Sequence, residues 1–339
     1  MNRTKFLWLG MLFAFLFVAT SCEKEETTSI NESEVLAQYL ESAESPLMKD
    51  YVSTDLPAII SATDLNNLNL TDKVYIIDIR SATDFATGHI ENAVNVAFAD
   101  ILSHIKGVDL TNYDKVAVVC YTGQTAGYAT SILRFVGYGK VYSLKWGMCS
   151  WNEAFAGKWN TAIGNGNAYG AQMVTDETAK GEKGGMPTLT TGKTTGQGIL
   201  EVRIDSLLAQ GFTPATVTNS TVFGSLSNYY IVNYWSPAHY AVGHIPGSIQ
   251  YTPKESLKFA ADLTTLPNDK TIAVYCYTGQ TSAALVVYLR LLGYDAKSIL
   301  YGTNGMMYDK MGEYNGTNPE AKMTMFKASE IMGYEYVTN

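Results

Sequence analysis

The chain has 339 residues, 46% hydrophobic and 17% charged, with 29 Gly and 9 Pro, which fits an ordinary globular protein and excludes a disordered or collagen-like one. At about 150 residues per domain, the length leaves room for two domains, each with a core of its own. The net charge of −8 argues against a nucleic-acid partner, and four scattered histidines (His89, His104, His239, His244) with no CxxC or HExxH pattern argue against a metal site.

Residues 1–21 carry Arg3 and Lys5, then an apolar run from Phe6 to Ala19, then Ala19-Thr20-Ser21 before Cys22. This is the pattern of a signal peptide, and its 14 apolar residues fall short of the ~20 needed for a stable spanning helix. The small residues ahead of Cys22 resemble the lipobox of bacterial lipoproteins, which implies lipidation at Cys22 and a chain anchored in the cell envelope, on the periplasmic or surface face of the outer membrane. Residues 22–45, rich in Ser, Thr and Glu, read as a flexible tether.

Beyond the tether, the chain repeats itself. VAVVCYTGQTAGYATSILRFVGY (116–138) corresponds to IAVYCYTGQTSAALVVYLRLLGY (272–294) at an offset of 156, and YIIDIRSATDFATGHIENAV (75–94) to YIVNYWSPAHYAVGHIPGSI (230–249) at an offset of 155. The expected organisation is therefore a first domain over 46–163, a linker rich in Gly, Thr and Lys over 164–198, a second domain over 199–317 and a C-terminal tail over 318–339 with a short helix around Phe326 to Met332. In each copy β-branched runs alternate with helical patterns, which predicts an α/β fold with a mostly parallel sheet flanked by helices.

CYTGQT occurs in both copies between a predicted strand and a predicted helix. Such a loop can aim backbone N–H groups and a helix N-terminus at the sulfur of Cys120 or Cys276, which favours a thiolate nucleophile. Gly123 and Gly279 supply backbone freedom at the loop tip, and Thr125 and Thr281 can cap the helix. Tyr121, Thr122 and Gln124, with Tyr277, Thr278 and Gln280, complete two candidate substrate-binding loops. Six positions after each Cys stand Ala126 and Ser282, where a Cys-x5-Arg phosphatase needs a guanidinium, so phosphatase chemistry is excluded.

Asp78, Arg80, Asp84, Phe85, Gly88, His89 and Ile90, followed by Cys120, Gly123 and Thr125, resemble the rhodanese family, and the likeness extends over roughly 55–155 and 215–310. The resemblance implies two rhodanese-like domains and a sulfurtransferase. Its catalytic Cys would take sulfane sulfur from a donor such as thiosulfate, hold it as a persulfide and pass it to cyanide or a thiol. It implies no cofactor and gives His89 and His244 a turn-fixing role. In the second copy Asn233, Trp235 and His239 replace the family's acid, Arg and acid. Both Cys are candidates, with Cys276 ranked ahead because many tandem members keep only the C-terminal one. With no cation in either loop, the charge of a sulfur-containing anion must be met by backbone dipoles or from elsewhere, with Lys145 the candidate. Trp146 either walls the pocket or packs in the core, and Cys149 is either a buried thiol or a resolving partner of Cys120. Two rival functions are a non-catalytic envelope module that binds a sulfur anion or a protein, and a disulfide or sulfane reductase using Cys120 with Cys149.

Overall fold

The β-branched runs of each copy become strands, and their order is the same in both. In a computed structural model that describes residues 30–338, the first copy forms β1 (Ile59–Ile60), β2 (Val74–Asp78), β3 (Ala93–Asn95), β4 (Lys115–Val119) and β5 (Val141–Leu144). The second forms β6 (Thr216–Val217), β7 (Tyr229–Asn233), β8 (Ile249–Gln250), β9 (Thr271–Tyr275) and β10 (Ala296–Ile299). Each set is a five-stranded sheet, ordered β1-β5-β4-β2-β3 and β6-β10-β9-β7-β8, with every pairing parallel. Val116 to Val119 of the central β4 are fully buried, as expected of a parallel strand covered on both faces. The register pairs Asp78 with Val119, so the loops after β2 and β4 leave the sheet side by side at its C-terminal edge, where open α/β sheets place their sites.

The helices that follow the two Cys loops, Gln124–Phe135 and Gln280–Leu291, are buried almost all round. Each covers its own sheet with one face and the other helix with the opposite face, which is why neither carries a wide polar stripe. Gly127 allows the close approach: a Cβ there would lie 3.0 Å from the carbonyl oxygen of Gln280. Ser131 Oγ donates to the Ala284 carbonyl at 2.9 Å across the same contact. One hydrophobic core joins Val118 and Ile132 of the first copy to Val274 and Leu285 of the second, and residues 31–338 belong to a single compact unit.

Three connecting segments depart from expectation. Within the stretch read as a flexible tether, Glu32–Glu41 is an α-helix capped by Asn31. Its buried Leu36, Ala37 and Leu40 face the second copy, Ser33 Oγ donates to the Leu292 carbonyl at 2.6 Å, and the Glu32 carboxylate accepts from the amides of Thr191 and Gly192. A helical stripe of only a few apolar residues was masked by the polar composition around it. In the segment read as linker, Val174 forms an antiparallel bridge with His244, Met186 is buried, and the next helix begins at Gly196. The tail has one 3-10 turn, Ala328–Glu330, in place of the expected helix. It otherwise runs extended from the second copy back to the first, where the backbones of Val337 and His89 exchange two hydrogen bonds of 2.9 Å. The expected signal peptide and Cys22 lie outside the described residues, among which no helix is long and apolar enough to cross a membrane.

Candidate active site

β4 delivers Cys120 to the sheet edge, and the chain then turns through Gly123, which takes φ 83° as the cap residue of the following helix. The Gly123 and Ala126 amides donate to Cys120 Sγ at 3.2 and 3.3 Å. In the second copy the Gly279 (φ 80°) and Ser282 amides donate to Cys276 Sγ at the same two distances. Both sulfurs therefore sit in the anion cradle that the repeated hexapeptide predicted. The expectation of an easily ionised thiol is corrected at Cys120, where burial pushes the pKa up and the amides of Ala126, Thr122 and Gly123 pull it only part of the way back.

The surroundings of the two sulfurs differ. A cleft of about 460 Å³ opens on Cys120. Its first-copy wall carries Arg80, Asp84, Tyr121, Thr122, Gln124, Thr125 and Lys158, and its other wall comes from the second copy, with Phe212, Thr213, Thr216, Leu300 and Tyr301. Arg80 is clamped by Asp78, with Nε 3.0 Å from both carboxylate oxygens and Nη2 2.6 Å from one, and it donates through Nη2 to the Gly88 carbonyl. Its guanidinium carbon lies 5.2 Å from the centre of the Tyr121 ring, and the Tyr121 hydroxyl donates to Asp84 at 2.7 Å. Hydrogen bonds from Ser81 and Tyr121 hold Asp84 below the usual carboxylate range. Lys158 Nζ lies 4.0 Å from the Tyr121 ring centre, and Arg80 Nη1 is buried without a hydrogen-bond partner. Cations thus reach the cleft from elsewhere in the chain, but the expected Lys145 is not one of them: it lies outside the cleft, paired with Glu330 at 3.0 Å.

Around Cys276 the same positions are filled differently. Trp235, in the place of Arg80, stacks on Tyr277 with ring centres 5.0 Å apart, and His239, in the place of Asp84, makes a very short hydrogen bond to the Tyr277 hydroxyl. The tail closes over this group. His239 Nε2 is 3.0 Å from the Ala321 carbonyl oxygen, and Asn304 Nδ2 donates to the carbonyls of Tyr277 (2.7 Å) and Thr324 (2.9 Å). The Cys276 thiol donates to Ser282 Oγ at 3.5 Å, a hydroxyl for which the first copy has Ala126.

The remaining candidates are placed as follows. Thr122 Oγ1 accepts from Gln124 Nε2 at 3.1 Å, and Thr278 Oγ1 accepts from the Gln280 amide at 3.1 Å. Thr281 is half-buried. The side chain of Gln280 is spent on the first copy's backbone, accepting from Trp146 N and donating to the Gly123 and Leu144 carbonyls. His89 and His244 stack on Phe85 and Tyr240 and contact those residues' carbonyls through Nδ1 at 2.9 Å. Trp146 is a core residue, wedged between Trp159 and Phe326. The Cys149 thiol donates to the Phe155 carbonyl at 3.0 Å, burial pushes its pKa up to about 11, and Cys120, Cys149 and Cys276 are all free thiols. Lys158 and the wall contributed by the second copy were not foreseen, because no local motif marks them.

The profile of the Rhodanese-like domain matches residues 61–154 and 227–307, just over half of the chain. The chain belongs to the rhodanese-like domain family. A thiosulfate sulfurtransferase GlpE of Shewanella oneidensis is 33% identical to this rhodanese over 97 residues, 29% of this chain and 94% of that protein. A GlpE of Pseudomonas entomophila is 32% identical over 90 residues, 26% and 79% of the two chains. The solved structure of a rhodanese-related protein from Thermoplasma volcanium is 20% identical with a TM-score of 0.25, covering 30% of this chain and 92% of that one.

Proposed function

We propose that this rhodanese transfers sulfane sulfur through a persulfide on Cys120. The observation that carries the reading is the cleft in front of Cys120, with two backbone amides aimed at the sulfur and Lys158 and Arg80 on its wall. The Cys120 thiolate attacks the outer sulfur of a donor such as thiosulfate. The donor's S–S bond breaks, its electron pair leaves with sulfite, and the sulfur stays on Cys120. Cyanide or a thiol then bonds to that sulfur and the Cys120 thiolate departs. Loop amides stabilise the terminal sulfur of the persulfide as they would any anion. Cys276 is buried and has Trp235 and His239 where the first copy has Arg80 and Asp84, and it takes the role of scaffold, which reverses the order that the sequence alone suggested. The test is thiocyanate production from thiosulfate and cyanide. Cys120→Ser should abolish it and Cys276→Ser should leave it largely intact. The reverse pattern would move the work to Cys276, and an inactive parent protein with free thiols would favour a module that binds without turnover.

The N-terminal pattern supports a second proposal, that the chain is held at the envelope membrane by lipid on Cys22. Partition into a detergent phase should disappear in Cys22→Ala; unchanged partition would refute it.

A further inference from the structure

Gln124 and Gln280 open the two loop helices, and each crosses to the other copy. Gln124 Oε1 accepts from Tyr301 N at 2.8 Å. Gln280 does more: Oε1 accepts from Trp146 N at 2.9 Å, and Nε2 donates to the carbonyls of Gly123 and Leu144, each at 3.3 Å.

Both anchor points lead to Cys120. Trp146 has φ 65° and Gly147 φ 61°, a left-handed turn in which a side chain on Gly147 would collide with the backbone of Cys120 and Tyr121. From that turn the Met148 amide donates to the Cys120 carbonyl at 2.8 Å and the Cys149 amide to the Tyr121 carbonyl at 3.2 Å. The Gly123 carbonyl belongs to the residue whose own amide donates to Cys120 Sγ. One buried amide side chain from the second copy thus grips the Cys120 loop at its tip and at the turn behind it. Gly123 also has no room for a Cβ, because the Gln280 amide occupies that space.

We propose that Gln280 is a positioning residue for Cys120, supplied by the second copy. The proposal rests on the reading of Cys120 as the working sulfur. It accounts for a pattern internal to the chain: the second loop repeats CYTGQT in full, while its upstream Asp, Arg and Asp have become Asn233, Trp235 and His239. The hexapeptide is needed there for its glutamine and its shape, whether or not Cys276 carries sulfur. A left-handed turn whose buried N–H lost its acceptor would relax, and the amides aimed at Cys120 would move with it.

The test uses the full chain, with Gln280→Ala and Gln280→Met, the latter keeping the volume but removing every hydrogen bond. Hydrogen exchange of the segments around 120–127 and 144–149 should quicken about tenfold in both variants, while the β2 and β7 segments stay protected. Turnover should fall about tenfold in kcat, with KM for thiosulfate unchanged, since positioning acts on the transition state rather than on donor capture. Normal exchange and kcat in Gln280→Met would overturn the proposal by reducing the residue to a space-filler; so would a change confined to KM. If Gln280→Ala fails to fold, Gln280→Met decides alone. If the parent protein does not turn over thiosulfate, the exchange data still judge the brace, and only the sulfurtransferase reading falls.

Discussion

The two Cys side chains share a hexapeptide and two sulfur-directed amides, yet their chemistry is set by what surrounds them. At Cys120 the nearby ionic side chains are Arg80, Asp84 and Lys158, and Arg80 is already shared with Asp78. Lys158 is the exposed cation that an anionic donor would meet. Lys158→Ala should raise KM for thiosulfate about threefold to tenfold, with an effect that shrinks at high ionic strength, as for any partly solvated charge. Lys145→Ala, outside the cleft, should leave KM unchanged, and steady-state kinetics of the two variants check both statements. The raised pKa of Cys120 sets a pH dependence. A thiol whose neutral form is favoured by burial gains thiolate only as pH climbs past the ordinary thiol value of about 8.5. Alkylation of Cys120 by iodoacetamide, followed peptide by peptide, should therefore keep rising from pH 6 to about 9. A plateau below neutral pH would mean that the amides outweigh burial.

Among the elements, the paired helices Gln124–Phe135 and Gln280–Leu291 make the most extensive contact between the two copies. Their hydrophobic spacing and their terminating Gly137 and Gly293 can be read directly from the repeat. What cannot be read is that each helix is covered on both sides, because a second partner leaves no local period. Gly127→Val tests this contact. The added side chain meets the Gln280 backbone, which cannot rotate away, so urea unfolding should show a loss of about 1–3 kcal/mol. A neutral result would mean that the helices can separate without cost. In the N-terminal helix, Leu36, Ala37 and Leu40 make a stripe so short that only packing against the helix Gly196–Gln210 gives it a reason to fold.

Over the whole molecule the tail adds to the inequality that Asn233, Trp235 and His239 already give the copies. After Thr317 it crosses the Tyr277 and His239 group, buries Phe326 against Trp146 and Trp159, and ends beside His89 in the first copy. A chain ending at Thr317 loses the tail's contacts with His239 and Asn304 beside the Cys276 loop, so alkylation of Cys276 should rise above that in the full chain. Mass mapping of the labelled peptide reads this, and unchanged alkylation would show that the tail does not protect the sulfur. Trp146 and Trp159 would also lose an aromatic neighbour in that variant, and their fluorescence should shift toward that of solvated indole.

Much of the fold and part of the site were legible in the residues. Two alternating α/β patterns, a repeated CYTGQT and the Asp78, Arg80, Asp84 and His89 motif determined the sheets, the loop geometry around each sulfur and the family, because strand period, helix spacing and glycine turns are local properties of the chain. Tertiary structure alone decided which cations line the cleft, which sulfur the cleft opens on and how the copies brace each other. Lys158 meets Tyr121, Gln280 meets Trp146 and the tail meets His239 across long separations in sequence. Such meetings arise from how the copies bury their shared core, and no spacing rule along the chain encodes them.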